Sequence, residues 1–254
     1  MSKHTLTVAY MLAIMVSGSA IAETKAFVAC PVFRNVHEMR GCWLTQYKGE
    51  WYYLGSPGGV GDAGSLPPQL KHRALIEGVV ADAPRVCGGL VLSSLSVSPL
   101  PEIDRRCDTV LPAEGYSIPA ANAKHGIATI EELTPPPQPP FMPRTVTVSF
   151  YFGNNFLAVR NQFKVQGAAI YILAADAKHI TVTGQAAATK LSDGSVLAEP
   201  AALAEQRANK IAAALRGLGV PADRIKVDWR PDVFEGDALT APTHRTVDIA
   251  IEID

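Results

Sequence analysis

The second half of the chain carries two clean periods of apolar and polar side chains. Val146, Val148, Phe150 and Phe152 alternate with Thr147, Ser149 and Tyr151, which puts one apolar face on a strand. A helix is predicted from about residue 161 to 174, then a strand through Ile180, Val182 and Gly184. The following stretch repeats at helical spacing, with Ala204, Ala208, Ile211, Leu215 and Leu218 on one stripe. Pro200 suits its first turn, and Gly217 or Gly219 with Pro221 closes it. Two more strands run through Ile225, Val227 and Trp229 and through Val247, Ile249, Ile251 and Ile253. The order β-α-β-α-β-β predicts an α+β unit, a mixed sheet with helices on one face.

The first half reads as mostly β. Trp43-Leu44-Thr45-Gln46 and Trp51-Tyr52-Tyr53-Leu54 flank Lys48-Gly49, the pattern of a hairpin between aromatic-rich strands. Residues 74–81 and 90–97 are further strand candidates. Between the halves, Pro135-Pro136-Pro137-Gln138-Pro139-Pro140 and Pro143 can neither continue a helix nor donate to a sheet ladder. Residues 135–144 therefore read as an extended, semi-rigid spacer between a part at 23–134 and a part at 145–254.

The first residues change the picture of where the protein works. Lys3, an apolar run over 6–16 and Ala20-Ile21-Ala22 before Glu23 form a secretory signal peptide over 1–22. The run is too short to cross a bilayer, which takes about 20 residues. The expected product is exported to the periplasm, with outer-membrane association left open. Cys30 after the small residues Val28-Ala29 offers a lipoprotein as the minor reading, because Phe27 fits a lipid-attachment site poorly and the charges of Glu23 and Lys25 separate Cys30 from the apolar run. The formal net charge of −1 becomes about −2 once Lys3 is removed, so nothing favours nucleic acid.

Cys30, Cys42, Cys87 and Cys107 all lie in the first half. In an exported protein they are most simply two disulfides, which makes the first part a small disulfide-stapled domain. Three connectivities are possible; ease of local closure favours Cys30 with Cys42 and Cys87 with Cys107. The spacings are long for a zinc site. Gly41-Cys42-Trp43 lacks the rest of a cysteine-protease context, and the glycine-rich 58–64 segment lacks the Lys-Ser/Thr of a phosphate loop. The six histidines are scattered. Neither a metal, a cofactor nor an enzyme activity is expected.

Glu205-Gln206-Arg207-Ala208 on the capped helix, and His244-Arg245-Thr246-Val247-Asp248-Ile249 opening the last strand, follow a strand that ends at Gly184. In this order they resemble the OmpA-like peptidoglycan-binding domain, over about residues 145–254. The resemblance implies that Arg207 binds a carboxylate of a diaminopimelate-type stem peptide, for which an arginine fork is well shaped. The family's aspartate, three residues past the glycine, is replaced by Ala187, and the stretch up to Arg207 is several residues longer than usual. Asp193, beside Gly194 in that stretch, is the candidate substitute. Taken without the resemblance, Arg207 is an exposed helix arginine pairing with Glu205 or Glu199, and Asp193-Gly194 is a plain turn. Arg245 reads as structural or rim-forming.

Two functions follow. One is a noncovalent peptidoglycan tether whose N-terminal domain meets an outer-membrane or other envelope protein. The other is an OmpA-like fold that has lost its ligand and serves as a protein-interaction module, and Ala187 favours it.

Overall fold

The computed structural model describes residues 23–36, 40–56, 67–113, 115–116 and 137–253. The expected signal peptide at 1–22, the glycine-rich 58–64 segment and the start of the proline-rich spacer lie outside the described residues. Among the described residues no helix is long and apolar enough to cross a membrane.

The first half contributes β1 (Thr24–Ala29), β2 (Pro31–Val36), β3 (Arg40–Tyr47), β4 (Glu50–Gly55), β5 (His72–Val80), β6 (Leu90–Ile103) and β7 (Thr109–Leu111). They form one seven-stranded sheet in the order β1-β5-β6-β4-β3-β2-β7. The expected hairpin is β3–β4, and Lys48 (φ 50°) and Gly49 (φ 83°) both take the positive φ that a tight two-residue turn needs. Phe27, Tyr52, Leu54, Ile76 and Val97 form the larger core of this half.

The two disulfides are Cys30–Cys107 and Cys42–Cys87, with Cα separations of 4.9 and 6.4 Å. This corrects the local pairing, and strand register is the reason. In the β2–β3 ladder Pro31 faces Thr45 and Arg34 faces Cys42, so Cys30 stands about 14 Å along the ladder from Cys42. β7 runs parallel to β2 with Thr109 opposite Val32, which brings Cys107 and Cys30, each two residues earlier, side by side. Cys87 sits in a turn closed by a bridge between Val86 and Gly89, against Cys42 and Leu44. Closing chain separations of 77 and 45 residues stabilises the fold by about 4 kcal/mol each, by restricting the unfolded chain.

The second half runs β8 (Arg144–Ser149), α1 (Val159–Ala174), β9 (His179–Gly184), β10 (Ala187–Lys190), β11 (Val196–Ala198), α2 (Ala202–Gly217), β12 (Ile225–Trp229), β13 (Phe234–Gly236), α3 (Thr240–Thr243) and β14 (Thr246–Glu252). Its main sheet has the order β12-β9-β14-β8, with β12 parallel to β9 and the other pairs antiparallel. The helices α1 and α2 share a core with this sheet, in which Val148, Val165, Ile172, Val182, Ile211, Leu215 and Ile249 are buried. The expected β-α-β-α-β-β order is present, with the two long connections forming an added sheet, β11-β10-β13.

Close packing of α2 on β9 depends on small residues. A Cβ on Gly184 would stand 1.9 Å from the Ala204 carbonyl oxygen and 3.1 Å from the Ala208 Cβ. The helix then ends at Gly219 (φ 95°), whose N–H bonds the Arg216 carbonyl while Val220 N–H bonds that of Leu215. This paired closure satisfies carbonyls that the last turn leaves open.

The halves touch. Leu75, Leu100 and Phe152 form a shared apolar cluster, with Val28, Leu191 and Leu197 against it. Ser192 N–H donates to the Ala26 carbonyl (2.7 Å), Ala26 N–H to Ser192 Oγ (3.0 Å) and Phe152 N–H to Ser98 Oγ (3.1 Å).

Two outcomes are expected. Peptide mapping without reductant should recover Cys30 linked to Cys107 and Cys42 to Cys87; recovery of the local pairs would contradict the sheet register. Gly184→Ala should lower the urea-unfolding free energy by about 3 kcal/mol, the upper end for overpacking, because the obstacle is backbone.

Candidate functional site

Arg207 lies on the second turn of α2 and is 0% exposed. The alternative expectation of an exposed helix arginine in a surface pair is corrected by this burial. The loop after β8 and the long connection after β9 fold over its side chain. Nε donates to the Asn154 carbonyl (3.0 Å), Nη1 to the Gln185 carbonyl (3.1 Å), and Nη2 to those of Tyr151 (3.0 Å) and Asn154 (2.9 Å). The guanidinium also stands 5.2 Å from the centre of the Phe150 ring.

The charge is met by Glu199, itself 3% exposed. Its Oε1 accepts from Arg207 Nη2 (2.6 Å) and Gly153 N–H (2.8 Å), and its Oε2 from Arg207 Nη1 (2.9 Å) and Ala187 N–H (2.9 Å). Four donors therefore converge on one carboxylate in a two-pronged geometry, the arrangement that gives charge-assisted hydrogen bonds their strength. Ala187, where the resemblance would place an aspartate, supplies its backbone N–H instead. With all the donors of Arg207 engaged, the fork is saturated from within.

Asp193 does not join this cluster. It is exposed in the β10–β11 turn, where its Oδ1 accepts from Ser195 Oγ (2.6 Å) and Ser195 N–H (3.0 Å). The Ser195 hydroxyl and then its amide hold the Asp193 carboxyl below its usual range. Gly194 takes φ 91°, so the pair forms the plain Asp-Gly turn. The neighbouring Ser192 turns toward β1, as described above, so this loop serves contact with the first half.

Arg245 is also buried, at 1% exposure, and it too holds a carboxylate. Nη1 donates to Glu77 Oε2 (2.7 Å) and Nη2 to Glu77 Oε1 (2.8 Å) and Thr189 Oγ1, while Thr189 Oγ1 donates to Glu77 Oε1 (2.7 Å). Glu77 belongs to β5 of the first half, and its side chain is wholly buried. The structural reading of Arg245 is thus realised across the two halves.

Sequence reasoning missed Glu77, Thr189 and Gly153, and it assigned Glu199 only to a surface pair. Glu77 had a signal: it is the lone charge inside the run Ala74-Leu75-Ile76-Glu77-Gly78-Val79-Val80, and a carboxylate there needs a buried cation. Gly153 N–H and Ala187 N–H had none, since their roles arise from backbone placement.

No protein-family profile matches the chain, and no curated protein matches it. Similar solved structures include the OmpA-like domain of FopA1 from Francisella tularensis subsp. tularensis SCHU S4, 15% identical over 42% of this chain and 70% of that one, with a TM-score of 0.33. The peptidoglycan-associated lipoprotein from Burkholderia pseudomallei is 22% identical over 42% of this chain and 89% of its own, TM-score 0.35. The periplasmic domain of Helicobacter pylori MotB is 16% identical over 44% and 75%, TM-score 0.35. Within this chain, the second half has the β-α-β-α-β-β order expected from its sequence, with Gly184 of β9 packed beneath Ala204 and Ala208 of α2 and Arg207 next to Ala208 on that helix.

Removing one partner of the inner pair leaves a buried charge unmatched. Glu199→Ala and Arg207→Met should each lose about 3–5 kcal/mol of unfolding free energy in urea. The double variant should lose clearly less than the two added together; additive losses would mean that the two side chains do not depend on each other.

Proposed function

We propose that the mature chain is an exported, noncatalytic protein of the cell envelope in which the disulfide-closed sheet and the OmpA-like unit act as a protein-interaction module, without holding peptidoglycan. The observation that carries this reading is the saturated Arg207 fork, with Glu199 in the place a ligand carboxylate would take. An external carboxylate would exchange one charge-assisted pair for another of the same kind. The resident one is tethered, with an effective concentration of about millimolar or more, and so competes in its own favour. Neither of the two positions considered for the ligand's ammonium offers a carboxylate at the fork, because Ala187 has only a methyl group and Asp193 lies outside the cluster in its own turn with Ser195. Two disulfides and an N-terminal export signal suit the oxidising periplasm. The partner in this reading is another envelope protein, including one at the outer membrane.

A second reading has one observation in its favour. Arg207 with the N–H groups of Gly153 and Ala187 makes a carboxylate cradle whichever carboxylate fills it. If Glu199 swung out, a carboxylate of a diaminopimelate-type stem peptide would find the same four donors in place, and the protein would be a peptidoglycan tether.

Co-sedimentation of the mature protein with purified peptidoglycan separates the two. Wild type and Asp193→Ala are both expected to stay in the supernatant. Pelleting of wild type that free diaminopimelate abolishes would overturn the interaction-module reading and restore the tether. Pelleting of Glu199→Ala alone would identify the cradle as a ligand site that Glu199 keeps shut.

A further inference from the structure

We propose that the Glu77–Arg245 pair is a latch, holding the N-terminal sheet as a built-in cover over the loop end of the OmpA-like unit. Three connections build that end: residues 150–158 after β8, 185–201 after β9 and 230–245 before β14. Each one bonds to the first half. Phe152 N–H donates to Ser98 Oγ, Ser192 exchanges bonds with Ala26, and Thr189 and Arg245 hold Glu77. The same first two connections supply the groups around Arg207, namely the carbonyls of Tyr151, Asn154 and Gln185, the N–H groups of Gly153 and Ala187, and Glu199. The covered end is therefore the end at which the fork sits.

The halves can part without either core opening. The main core of the second half contains only residues from 141 onward, and the two larger clusters of the first half contain only residues up to 97. Among the described residues a single small cluster, centred on Leu75, Leu100 and Phe152, is shared. Against that modest apolar contact the latch is the dominant polar tie. It places a two-pronged charge pair in a buried interface, with Thr189 Oγ1 bonded to both partners and the Phe152 ring 5.0 Å from the guanidinium carbon. Buried in this way, the pair resists screening by salt. Removing one charge strands the other in the interface, whereas separating the halves returns the stranded charge to water; the interface with one charge removed should therefore open.

Amide hydrogen exchange on the full mature chain reads this opening directly. Phe152 N–H and Ser192 N–H are bonded across the interface, while the amides of Val182 and Ile249 lie inside the β9–β14 ladder and report on unfolding of the core. In Glu77→Gln, exchange at Phe152 and Ser192 is expected to rise on the order of a hundredfold, with Val182 and Ile249 changed far less. Thr189→Val keeps both charges and removes only the shared hydroxyl, so it provides a variant that folds if Glu77→Gln does not; a smaller rise at the same two amides is expected. Exchange at Phe152 and Ser192 that changes only in step with Val182 and Ile249, or not at all, would overturn the latch.

Discussion

A guanidinium taken out of water must meet a carboxylate and enough further oxygen to use five N–H donors. Arg207 imposes that demand at the loop end of the second half, and much of the surrounding chain is arranged to satisfy it. The loop after β8 delivers the carbonyls of Tyr151 and Asn154 and the N–H of Gly153. The long excursion after β9 runs out as β10, returns as β11 and reaches Glu199 just ahead of α2, eight residues before the arginine it neutralises. Without that pair the loops would enclose an unmatched charge, and the geometry of the end of the domain would have no reason to persist.

The same demand separates fold from function. Gly184 and Ala208 look like signature residues, and they are explained by the close approach of α2 to β9 alone. Arg207 looks like a ligand residue, and its whole donor set is consumed by the chain. Within the chain these residues thus supply a packing contact and a charge-neutralising pair. The second arginine, Arg245, turns a two-pronged pair outward through its two Nη groups, while its buried Nε has no partner among the described residues; it takes a carboxylate from β5 and so joins the halves that a proline-rich spacer was expected to keep apart.

The periodic elements were legible because burial writes itself into side-chain alternation. β8, β9, β14 and α2 fall where their apolar positions recur, and the β3–β4 hairpin falls where Lys48-Gly49 permits two positive φ values. β10, β11 and β13 were not legible: Ala187–Lys190, Val196–Ala198 and Phe234–Gly236 are too short to establish a period, and they form because two long connections pair with each other. Disulfide partners were misread because chain proximity is a poor guide once a ladder has carried Cys42 four rungs from Cys30. The burial of Arg207 escaped for a related reason. Its position at the edge of the apolar stripe of α2 says where the side chain starts, whereas the loops that close over it belong to residues remote in sequence.

The saturated fork can be observed at the guanidinium itself. In a nitrogen-15 spectrum of the mature protein, slow rotation and protection from solvent should leave the Arg207 Nη groups as separate, sharp signals, unmoved by a diaminopimelate-containing stem peptide. Signals averaged by free rotation, or signals that shift as the stem peptide is added, would contradict a fork closed by Glu199.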